Sequence, residues 1–186
     1  GNHSLATARL CWERIRDKLT PAERENHPAR FALAELVNIH DESVAFEPIH
    51  RVLFDTQTDT FFADARDYFA RSTGEEETSH KLRLTCGSRT ETITVNGLTI
   101  GKLIETAQQF CERYVVIRGG HLDYIHDDET VFSMAARPGC AGVLLPVFDK
   151  SELFPSVIRS GTFPAKSFSI GPARDKRYYL ECRKIK

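Results

Sequence analysis

The chain has 186 residues, with 25 Lys and Arg against 26 Asp and Glu, for a formal charge of −1. Its 41% hydrophobic and 27% charged residues are an ordinary globular composition, which excludes a disordered tail, and the balanced charge argues against a protein that coats nucleic acid. No stretch approaches the roughly 18 apolar residues that a membrane-spanning helix needs.

The chain opens on Gly1-Asn2-His3-Ser4 and enters a helix, with no initiator Met and no preceding strand. We read it as the C-terminal portion of a longer protein, residues 1–186 forming one unit. Leu5, Ala8, Trp12, Ile15 and Leu19 recur at helical spacing, with Ser4 placed to cap and Thr20-Pro21 placed to stop the helix. Residues 30–38 are apolar on both faces and predict a buried strand. Residues 45–54 predict a second extended segment, broken by Pro48. A helix is predicted over about 60–71, then a hairpin of 81–86 and 91–95 around Gly87-Ser88-Arg89. The clearest helix spans 100–114, where Ile100, Leu103, Ile104, Ala107, Phe110, Cys111 and Tyr114 form one stripe. Strands at 121–126, 142–147 and 178–185 and helices from Asp128 and over 151–159 complete the pattern. The fold class expected is α/β in the mixed α+β sense. A mixed sheet is flanked by helices, with an inserted hairpin-helix unit over 75–115.

The five cysteines, Cys11, Cys86, Cys111, Cys140 and Cys182, are odd in number and contain no CxxC pair. They read as reduced, mostly buried thiols of a cytoplasmic protein.

Several segments could carry chemistry. Gly1, Asn2, His3 and Ser4 open a helix, whose free N–H groups can hold phosphate, although the same residues also make an ordinary capped turn. His50 and Arg51 follow Pro48. Arg51 could grip phosphate and His50 could act as acid or base, but neighbours on a strand point to opposite faces unless it ends or bulges there. Asn38, His40, Asp41 and Glu42 read as a turn or a crevice edge. His121, Asp123, His126, Asp127 and Asp128 suggest a metal on composition, yet strand geometry divides them between faces, and no metal site is assigned. Lys166, among Pro164, Ser167 and Gly171, could be a phosphate point charge or part of a solvated loop. There is no P-loop and no GxSxG elbow.

GNHSLATA, LVNIHDESVAFEPIHRVLF, DYIHDDE and GTFPAKSFSIGPARDKRYYLE, in that order, resemble blocks of the DUF-1015 family of uncharacterised bacterial and archaeal proteins. The resemblance covers almost the whole chain. It implies a longer parent, with an Asp expected before Gly1. The first block is also similar to the phosphate-side box of the ParB/sulfiredoxin-like superfamily, to which a free-serine kinase belongs, with Ser4 standing where a basic residue is usual. By that analogy the function expected is a nucleotide-dependent phosphotransferase on a small metabolite, or another phosphate-handling enzyme; the cofactor is left open, with a nucleotide and Mg²⁺ as the candidates. Gly1, Asn2, His3 and Ser4 would bind the cofactor, and His50, Arg51 and Lys166 would be catalytic, converging with His3 on one cleft. The alternative is a non-catalytic regulatory or ligand-binding module. The partners expected are a small-molecule or nucleotide ligand and the upstream half of the parent chain, with no membrane and no nucleic acid.

Overall fold

The computed structural model describes residues 2–32 and 36–171, with side chains from residue 5 onward. The described residues divide into two compact units, one up to residue 38 and one from residue 39.

The first unit carries α1 (Asn2–Arg16) and α2 (Pro21–Asn26). α1 already begins at Asn2, so Ser4 lies in its first turn rather than at the cap position predicted for it. Thr20 both follows α1 and caps α2. Its hydroxyl accepts from the Glu23 N–H while the Glu23 carboxylate accepts from the Thr20 N–H at 2.8 Å. Arg24 Nε donates to the carbonyls of Arg16 at 2.8 Å and Leu19 at 3.0 Å, serving acceptors at the end of α1. The buried strand predicted over 30–38 is not found among the described residues. His27 caps a single 3-10 turn (Pro28–Arg30), and Phe31, Leu36 and Val37 beyond it are exposed. A dense apolar run without a period does not decide between a strand and an irregular segment.

The second unit is built on a five-stranded sheet. Its strands are β2 (His50–Phe54), β3 (Ser79–Cys86), β4 (Arg89–Asn96), β5 (His121–Ile125) and β6 (Ala141–Leu144), in the order β4-β3-β6-β2-β5. Every pairing is antiparallel. A two-stranded ribbon joins β1 (Phe46–Pro48) to β7 (Phe168–Ile170). The helices are α3 (Phe61–Ala70), α4 (Ile100–Arg118), α5 (Asp128–Ala135) and α6 (Leu153–Ser160). The α+β class is as expected. The predicted hairpin is β3–β4, closed by Gly87 at φ 59° and Ser88, and β3 pairs with β6 inside the main sheet. The strand predicted at 178–185 lies outside the described residues.

Alternation along β2 divides the core. Leu53 faces one side, with Leu82, Leu84 and Val143, and is covered by α3 and α4. Val52 faces the other side, with Leu144, and is covered by Val131 and Phe132 of α5. The predicted stripe of α4 is fully buried, from Ile100 to Tyr114. Phe110 is its centre, with ring centroids 6.1 Å from Phe61, 5.3 Å from Phe69 and 5.4 Å from Tyr68. Each such aromatic contributes about 1.5–3 kcal/mol by burial alone. On the α5 side the contact needs a glycine. A Cβ on Gly142 would stand 2.7 Å from Val131 Cγ1 and 2.8 Å from Thr85 Cγ2.

Candidate functional site

His50 and Arg51 are both buried, at 1% and 0% exposure, and they face opposite sides of β2. His50 belongs to the α5 side. Its Nε2 lies 2.6 Å from Asp128 Oδ1, and its Nδ1 accepts the backbone N–H of Leu145 at 3.1 Å. An acceptor at Nδ1 and a carboxylate at Nε2 define the neutral ring protonated on Nε2. Burial holds the imidazole below its ordinary pKa, with Asp128 opposing and Arg83 adding to the depression. Asp128 is also paired to Arg83. Both ring nitrogens are therefore engaged, and neither lone pair nor proton is turned toward open space.

Arg51 belongs to the α4 side. Its Nε donates to Gln108 Oε1 at 3.0 Å, its Nη1 to the Ile49 carbonyl, and its guanidinium lies 5.2 Å from the centroid of Tyr124. Gln108 Nε2 continues the network to Glu112 Oε1 at 2.8 Å and to the Tyr124 hydroxyl at 2.9 Å. No carboxylate pairs with Arg51 among the described residues, and its Nη2 finds no hydrogen-bond acceptor there. Burial lowers its pKa. The same neighbourhood holds Cys111, whose thiol burial pushes up to about 12, so the nearby cation does not make it a reactive thiolate.

Lys166 is exposed, at φ 61°, a left-handed conformation that costs a side chain with a Cβ about 1–2 kcal/mol. The loop around it is fixed from both sides. The Ser167 hydroxyl donates to the Pro164 carbonyl at 2.6 Å, and the Ile49 N–H donates to the Ser167 carbonyl at 3.2 Å. Ile49 is also the residue whose carbonyl Arg51 holds. Arg51 is thus linked to the Lys166 loop through Ile49, just before β2, and Ser167, while His50 is turned to the other face. Lys166 has no ion-pair partner among the described residues. Gly1 and the side chains of Asn2, His3 and Ser4 lie outside the described residues.

The acidic and histidine segment separates as strand geometry requires. His121 stacks on Phe54 at 5.4 Å, Asp127 caps α5 through Thr130, and Asp128 serves His50. Among the described residues no group of three His, Cys, Asp or Glu side chains is close enough to hold a metal. His40 and Asp41 lie in the turn before β1, where Asp41 accepts from the Ser43 N–H at 2.9 Å.

Comparison with known families matches residues 1–123 to the model of a protein of unknown function, DUF1015. The chain belongs to the DUF1015 family. No curated protein matches it. Among solved structures, this DUF1015 chain is similar to a free serine kinase in complex with AMP. The TM-score is 0.48 at 14% identity, covering 74% of this chain. The chain spans 58% of the length of that kinase.

One cleft in the second unit was not marked by any sequence motif. It lies between α3 and α4, has a volume of about 450 Å³, and contains none of His50, Arg51 and Lys166. Its cations, Arg71, Arg113 and Arg118, come from two helices and look like ordinary surface residues in the sequence.

Proposed function

We propose that this DUF1015 chain is part of a phosphate-handling protein, and that Lys166 supplies the charge that meets the phosphate. Lys166 carries the reading. It is a cation with no counter-ion among the described residues, held in a strained conformation by a loop with hydrogen bonds on both sides. Strain of this kind persists only where surrounding structure enforces it, and it fixes the backbone point from which the Lys166 stem projects. Arg51 is the positioning residue. It grips the Ile49 carbonyl, and Ile49 in turn holds the Lys166 loop.

In its more specific form the reading is a nucleotide-dependent phosphotransferase acting on a small metabolite. Lys166 would neutralise charge on the transferred group. His50 would act by shaping the sheet end beside Leu145, since its two nitrogens are occupied. The start of α1, with Gly1, Asn2, His3 and Ser4, is proposed separately as a nucleotide-phosphate seat of the ParB/sulfiredoxin-like kind. The test is calorimetric titration of ADP, ATP and inorganic phosphate, with and without Mg²⁺, into the wild type and Lys166→Met. Loss of about tenfold or more in affinity at unchanged melting temperature is the expected result. Equal affinity of the two proteins removes Lys166 from the site. Binding without phosphate transfer to any acceptor leaves the ligand-binding module as the function.

A further inference from the structure

We propose that the cleft between α3 and α4 is a second ligand site, built for a small aromatic anion: a flat ring of one or two fused cycles that carries a phosphate or carboxylate. Its volume of about 450 Å³ lies within the roughly 300–1,000 Å³ usual for small-molecule sites. The floor is aromatic. Phe110 lies beneath, with ring centroids 5.4 Å from Tyr68 and 5.7 Å from Tyr114. The Tyr114 hydroxyl is committed to the Gln57 carbonyl at 2.6 Å, and Phe110 and Tyr114 are each only 3% exposed, so the half-buried Tyr68 is the ring that a ligand can reach. Ile117, 60% exposed, forms an apolar lip.

The rim is cationic. Arg118 is neutralised by Asp64 at 3.0 Å. Arg71 and Arg113 have neither an ion pair nor a side-chain hydrogen bond among the described residues. Arg71 caps the C-terminal end of α3 and Arg113 stands on α4, where its charge opposes the rise that burial gives the Tyr68 phenol pKa. Two free guanidinium forks beside the half-buried Tyr68 ring match a planar ring with an anionic substituent. Each fork can take a carboxylate or phosphate edge in two parallel hydrogen bonds. Asp67, also without a partner among the described residues, adds an acceptor for a hydroxyl or amine of the ligand.

The charge and the ring must both be present for tight binding, and this separates the proposal from general attraction of anions. Calorimetry is run with AMP and indole-3-acetate as aromatic anions, inorganic phosphate as an anion without a ring, and adenosine as a ring without charge. In Lys166→Gly, which lacks the phosphate site proposed above, the two aromatic anions should bind at least about tenfold tighter than the two controls. The double variant Arg71→Gln/Arg113→Gln should lose about tenfold or more of that affinity, and Arg113→Gln alone a large part of it. Both positions are exposed, so the melting temperature should move by no more than about 2 °C. Indole-3-acetate binding should survive Lys166→Gly, which separates this cleft from the phosphate site proposed above. The proposal is overturned by aromatic-anion affinity that is unchanged in the double variant, by binding of inorganic phosphate to Lys166→Gly as tight as that of the aromatic anions, by loss of indole-3-acetate binding in Lys166→Gly, or by no binding of either aromatic anion at about millimolar concentration.

Discussion

Replacing Arg51 by Lys keeps a positive charge but cannot keep the geometry. The guanidinium reaches Gln108 through Nε and the Ile49 carbonyl through Nη1 while stacking on Tyr124. An ammonium on a flexible stem can serve one of these acceptors. The other is then buried without a donor, a cost of about 1–3 kcal/mol added to a lost charge-assisted bond of about 1.5–3 kcal/mol. The stacking on Tyr124 contributes about 0.5–2 kcal/mol more, part of which Lys retains. These effects overlap, and together they set the magnitude we expect at about 3–5 kcal/mol. For a domain of this size that corresponds to a fall of roughly 6–20 °C in Tm. Urea unfolding of the wild type and Arg51→Lys, compared at equal m-value, measures it directly. A change below about 1 kcal/mol would show that Arg51 does not clamp α4 to the sheet, and the link from Arg51 to the Lys166 loop would fall with it.

Further outcomes follow from other contacts. His50 is buried neutral with its pKa lowered, so the unfolded chain binds the proton more readily. The associated stability is present above the unfolded value of about 6.5 and is lost as pH falls through and below it. His50→Gln should show a smaller drop in urea midpoint between pH 7.5 and 5.5 than the wild type, and an equal drop would contradict the assignment. Gly142→Ala should cost about 1–3 kcal/mol, because the new methyl meets Val131 of α5 and Thr85 of β3; a neutral effect would mean that α5 is not seated as described. Cys111 should resist a thiol reagent in the native protein and react on unfolding, when five free thiols are expected. Rapid native labelling of Cys111, or three or fewer thiols after unfolding, would contradict this.

Much of the second unit was legible because its signals are local. The α4 stripe, the glycine of the β3–β4 turn and the break at Pro48 each sit within a few residues of the structure they specify. The opposite facing of His50 and Arg51 follows from strand alternation alone. Their partners do not. Asp128 meets His50, and Gln108 meets Arg51, only because α5 and α4 are laid on opposite faces of the sheet. Residues 30–38 show the converse failure. Their apolar content suggests burial, yet Phe31 and Val37 are exposed, since composition without a period carries no direction. The left-handed backbone of Lys166 was illegible as well, because that conformation is expected of glycine rather than lysine. The α3–α4 cleft escaped notice because Arg71 and Arg113 acquire a shared meaning only when two helices bring them to one rim.

The central claim is that Lys166 is held in an unfavourable conformation in order to present its charge to a phosphate. Lys166→Gly tests both halves at once. Glycine removes a left-handed cost of about 1–2 kcal/mol and adds about 0.5–1 kcal/mol of chain entropy, so stability should hold or rise slightly. Titration of ADP and inorganic phosphate into Lys166→Gly and the wild type, with melting curves on the same samples, should show an equal or higher Tm together with at least about a tenfold loss of affinity. A lower Tm with unchanged affinity would contradict the account and make Lys166 a structural residue.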